Sequence, residues 1–125
     1  MSSLQTRLFA LFFLTYLISC KEGTDERHQI IAGTWYLKSA QADGAATQRL
    51  DGTIFTFSEG RISTNVPQIG EGAYHFAKNK LIQKGEPNIT YTIESLDNNA
   101  LVLSMTLREV DFRMEFDRVE PSAEN

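Results

Sequence analysis

The chain has 125 residues, enough for one small domain with a single core and too few for two. Its 12 Lys and Arg stand against 16 Asp and Glu, a formal charge of −4. That balance excludes the clustered basic face of a nucleic-acid binder and charge-driven adhesion to an anionic bilayer. Cys20 is the only cysteine, which excludes an intramolecular disulfide and a thiolate metal site and leaves the fold to be held by burial.

The first feature along the chain is an eleven-residue apolar run, Leu8 to Ile18, softened only by Thr15 and Tyr16. A hydrocarbon core of about 30 Å needs roughly 20 residues of helix, so the run is too short to span and fits the apolar core of an export signal. Arg7 and the amino terminus supply the basic flank. The chain turns polar directly after Cys20, with Lys21, Glu22, Gly23, Thr24, Asp25, Glu26 and Arg27.

Leu17-Ile18-Ser19-Cys20 resembles the lipobox of bacterial lipoproteins: an aliphatic residue, one intervening position, a small residue and then the cysteine. The resemblance implies a lipoprotein signal peptide over 1–19, cleavage after Ser19, and a lipid on Cys20 with further acylation of the new amino terminus, palmitate included. Two or three acyl chains hold a membrane durably where one does not. Cleavage would remove Arg7, leaving 11 Lys and Arg against 16 acids, so membrane attachment through Cys20 would be covalent rather than electrostatic. Lys21 stands where the inner-membrane retention signal of enteric bacteria has Asp. Cys20-Lys21-Glu22 followed by Asp25-Glu26 is similar to the surface-export tether of Bacteroidetes lipoproteins. The implied location is the outer membrane, with either leaflet open, and 20–28 reads as a lipidated tether.

A short helical approach over about Asp25 to Ala32 comes next. From Gly33 onward apolar residues recur with period two, the mark of strands with one oily face. Leu101, Leu103, Met105 and Leu107 alternate with polar neighbours, and Phe112, Met114 and Phe116 alternate with Arg113, Glu115 and Asp117. Turn residues divide the chain at Ser58-Glu59-Gly60, Lys78-Asn79, Gly85-Glu86-Pro87-Asn88 and Asp97-Asn98-Asn99. The spacing predicts eight strands, roughly 33–41, 52–58, 61–66, 72–78, 80–84, 89–96, 100–108 and 111–119. With no long helix to cover such a sheet, curling it until first and last strands meet buries the oily face and removes both edges. The expected domain, 29–120, is therefore all-β: an eight-stranded antiparallel up-and-down barrel, followed by a loose, disordered tail at 121–125.

Gly33-Thr34-Trp35, at the start of the first strand, resembles the Gly-x-Trp signature of lipocalins. The run Ile31 to Leu37 is similar to the opening of small lipocalin-like domains in Bacteroidetes lipoproteins. Phe55-x-Phe57 before Glu59-Gly60, Gly72-Ala73-Tyr74, Tyr91-x-Ile93 and Leu101-Val102-Leu103 continue the pattern through the whole mature domain. The resemblance implies a lipocalin-like barrel closed at one end by Trp35 with a basic residue laid across it. Arg118, ending the last strand, is the expected partner, and Arg113, on the outer face of the same strand, is the alternative. Lipocalins proper have longer strands and often disulfides, which this chain lacks.

Alternation predicts an inward set comprising Trp35, Leu37, Phe55, Phe57, Ile62, Tyr74, Phe76, Tyr91, Ile93, Leu101, Leu103, Met105, Leu107, Phe112, Met114 and Phe116, which holds all five phenylalanines of the mature chain. So much bulk favours a packed core over an open lumen. A lumen, where present, would be lined by Phe55, Phe57, Tyr74, Phe76, Tyr91, Leu103, Met105, Phe112 and Met114, with the tyrosine hydroxyls as its polar handles.

Other patterns carry no chemistry. His28 and His75 have no ligand spacing, so no metal or cofactor is expected. Asp97-Asn98-Asn99 lacks the acids of a calcium loop, Gly70-x-Gly72 precedes a strand rather than a phosphate-binding helix, and no nucleophile-and-base arrangement appears. The expected function is non-enzymatic: an envelope-anchored binding module for a small hydrophobic ligand. The alternative is a solid barrel whose loops bind or inhibit a protein partner.

Overall fold

The computed structural model describes residues 25–86 and 88–121; the expected export signal, with Ser19 and Cys20, lies outside the described residues, as do tail residues 122–125. A five-residue helix, α1 (Arg27–Ile31), leads into nine strands: β1 (Gly33–Ala42), β2 (Ala45–Ala46), β3 (Ile54–Ser58), β4 (Arg61–Thr64), β5 (Gly72–Ala77), β6 (Lys80–Gln83), β7 (Ile89–Leu96), β8 (Ala100–Leu107) and β9 (Val110–Asp117). All neighbours pair antiparallel in chain order, and β1 also pairs with β9, which closes the sheet. Eight strands form the wall, and β2 is a two-residue flap on the end of β1, paired only as Gln41↔Ala46 and Ala42↔Ala45.

β1 divides its length between two partners. Gly33 to Tyr36 pair with β3, and Tyr36 to Ala42 pair with β9. A bulge between Leu37 and Ser39 shifts the phase, so Trp35 and Leu37 point inward before it and Ala40 after it. The extra residue increases local twist, which helps a strand leave one neighbour for the other.

Three hairpins use two-residue loops with positive φ at both central positions: Asp43-Gly44, Glu59-Gly60 and Arg108-Glu109. This turn geometry matches the right-handed twist of the flanking strands. The chain therefore runs alternately between two ends. One end holds α1 and the turns at 59–60, 78–79 and 97–99; the other holds the loops at 43–53, 65–71, 84–88 and 108–109.

The core is continuous from end to end. Trp35, Phe55, Phe57, Ile62, Tyr91, Leu101, Leu103, Met114 and Phe116 are each at most 2% exposed. Phe76, Ile93 and Leu107, of the expected inward set, are only half-buried and pack on its margins. Several core members come from outside the alternating pattern: Ile31 from α1, Leu50 and Ile69 from loops, and Leu81 and Ile89 from strands whose short runs hid their inner face.

Gly72 sits where three strands crowd. A Cβ there would overlap the Lys84 carbonyl oxygen, because β5 and the end of β6 approach closely and the Lys84 amide donates to the Ala73 carbonyl at 2.8 Å. Gly72→Ala is expected to force these backbones apart and cost about 1–3 kcal/mol. Equilibrium urea unfolding followed through Trp35, the sole tryptophan, measures it.

Candidate ligand-binding site at the open end of the barrel

The two ends are built differently. At the α1 end the Arg118 guanidinium lies 3.6 Å from the centroid of the Trp35 ring. It also donates to the carbonyls of Ile30 (2.6 Å), Ala32 (3.0 Å) and Asn98 (3.2 Å). The Trp35 indole nitrogen donates to the Ile31 carbonyl at 2.8 Å. A five-residue helix cannot support itself, and its last carbonyls have no partners of their own. Here Arg118 and Trp35 supply those partners. Gly33, at φ +111°, makes room: a Cβ there would stand 3.0 Å from the Arg118 guanidinium. Arg113 is elsewhere, on the outer wall with Glu94 and Glu115.

The same end is sealed further by the helix side chains. The Arg27 guanidinium lies 4.4 Å from the Phe76 ring centroid, while His28 meets Phe76 edge-on and places Nδ1 3.3 Å from the Tyr74 hydroxyl. Arg27 also pairs with Asp25, and that hydrogen bond holds the Asp25 carboxyl down at about 2.

The interior is filled. Phe55 contacts Phe57, Tyr91 and Phe116 with ring centroids 4.8–6.2 Å apart, and Phe57 meets Tyr74 at 5.4 Å. Above them lies one buried polar pair that the alternation of apolar residues could not reveal. Gln83, fully buried, accepts from the Tyr91 hydroxyl at 3.0 Å and donates to the Ile69 carbonyl at 2.8 Å. Ile69 rides on a turn in which the Val66 carbonyl accepts from the Ile69 and Gly70 amides. Of the nine expected lumen residues, Phe55, Phe57, Tyr74, Phe76, Tyr91, Leu103 and Met114 pack within this solid body or at its sealed end, and only Met105 and Phe112 border an opening.

A shallow depression of about 630 Å³ lies beside Leu37, Lys38 and Asp117 to Pro121, and two further openings lie at the opposite end. A depression of about 390 Å³ lies between the segment Arg49–Thr53, the loop Asn65–Gln68, and Leu107, Arg108, Val110 and Phe112 of the β8–β9 hairpin. Leu50, Val66, Leu107, Val110 and Phe112 supply its apolar surface. Its two loops are tied together: the Asn65 amide oxygen accepts from the Ile54 amide and its nitrogen donates to the Gly52 carbonyl, both at 2.9 Å. Buried Thr53 donates from its hydroxyl to the Leu50 carbonyl, which fixes the backbone beneath the Leu50 side chain.

A second, larger cleft of about 730 Å³ opens in the wall beside it. β7 and β8 pair only from Thr92↔Ser104 toward the sealed end; above that point β7 stays with β6 and β8 with β9. At the split, Ile89, Met105 and Phe112 form the floor of the cleft while remaining buried members of the core, between the outer-face Thr90 and Thr106. Leu107 and Phe112 border both openings.

No metal-ligand cluster occurs among the described residues. Asp97 closes its own hairpin by accepting from the Asn99 and Ala100 amides. Burial raises the Tyr91 hydroxyl above the usual tyrosine value of 10.0, and Tyr74 in the same direction. A buried phenol that stays neutral in the fold while the unfolded chain ionises makes stability fall as pH rises past about 10. Tyr91→Phe is expected to lose about 1–3 kcal/mol at neutral pH, through the orphaned Gln83 oxygen, and to show a shallower loss above pH 10. Urea unfolding at a series of alkaline pH values tests both signs.

No protein-family model matches the chain, and no curated protein matches it in sequence. Among solved structures it is similar to a lipocalin-like protein from Bacteroides uniformis, with a TM-score of 0.54 and 18% identity over 72% of this chain and 99% of that one. At that identity the likeness speaks for the architecture alone: a closed eight-stranded antiparallel barrel with a short leading helix, which is a lipocalin-like fold.

Proposed function

We propose that the protein is an envelope lipoprotein, anchored through a lipid on Cys20 to the outer membrane, whose barrel binds a small hydrophobic molecule at its open end. The observation that carries the reading is the 390 Å³ depression walled by Leu50, Val66, Leu107, Val110 and Phe112. Its size lies at the lower end of the range typical of small-molecule sites, and it combines apolar walls with a polar rim. Because the interior is filled, this reading puts the ligand at the mouth rather than in a deep lumen. A binding role accords with the lipocalin-like fold.

The filled interior also favours a second reading, a solid barrel whose loops grip a protein partner. The two diverge under native mass spectrometry of the mature chain carrying Cys20→Ser, mixed with fatty acids and membrane phospholipids. A ligand-binding module retains one small molecule, and Phe112→Arg, which places a charge in the mouth, abolishes retention. A chain that retains none of them, yet cross-links in cells to a single protein neighbour, is the solid-barrel alternative.

The anchor has its own test. Cys20→Ser is expected to release the protein from the membrane fraction with the barrel still folded, since every strand lies between Gly33 and Asp117. A variant that stays bound after a high-salt wash would overturn the lipoprotein reading.

A further inference from the structure

We draw no further inference here: the strongest candidate, the cleft in the barrel wall where β7 and β8 part above Thr92 and Ser104 and leave Thr90 and Thr106 unpaired with each other, has a floor buried in the core, and nothing in the structure shows what covers it.

Discussion

The Arg118 guanidinium rests on the Trp35 ring and donates to carbonyls of α1, of Ala32 and of the β7–β8 turn. It thereby joins the last residues of the barrel to the first and to a helix that could not exist alone. A guanidinium suits this place because it is planar, weakly hydrated and rich in donors, so it stacks and hydrogen-bonds at once. Partial burial draws its pKa below the ordinary arginine value, the sign that covering the charge has a cost. The cation–π contact and three carbonyl acceptors offset it. Gly33 is needed for the same contact, since a side chain there would take the space of the guanidinium.

Sealing one end so tightly has a consequence for the other. In a short barrel with five inward phenylalanine, tyrosine and tryptophan side chains at most 2% exposed, there is no room left for a guest in the middle. Gln83 and Tyr91 then serve as a polar stopper beneath Ile69, with every buried side-chain polar atom among the described residues hydrogen-bonded. The two openings at the far end are made where the sheet is least regular: at the long loops, and where β7 and β8 part company. Packing decides where a ligand could go before any polar group decides which ligand it is.

Much of this architecture was legible in the sequence because strands advertise themselves by alternation. The row Leu101 to Leu107 and the row Phe112 to Phe116 set two wall strands almost to the residue. The Gly-x-Trp motif pointed to one end, and the placement of Arg118 at the close of the last strand suggested its stacking partner. The open end was not legible, for physical reasons. Leu50 and Ile69 enter the core from irregular loops, which have no period to read. Gln83 sits on an inner face where a polar residue argues against burial until its two partners are known. The split between β7 and β8 is a matter of pairing, and alternation says which face a residue takes without saying which neighbour its backbone keeps.

The position of α1 also gives the barrel a direction. The helix packs on the sealed end, so the chain arrives there from its amino-terminal side. Five residue steps separate Cys20 from Asp25, a reach of at most about 18 Å. With a lipid on Cys20, the sealed end would sit over the bilayer and the mouth would look outward into the aqueous phase. A ligand would then be exchanged with something in solution or on a facing surface, not drawn straight up from the membrane that holds the protein.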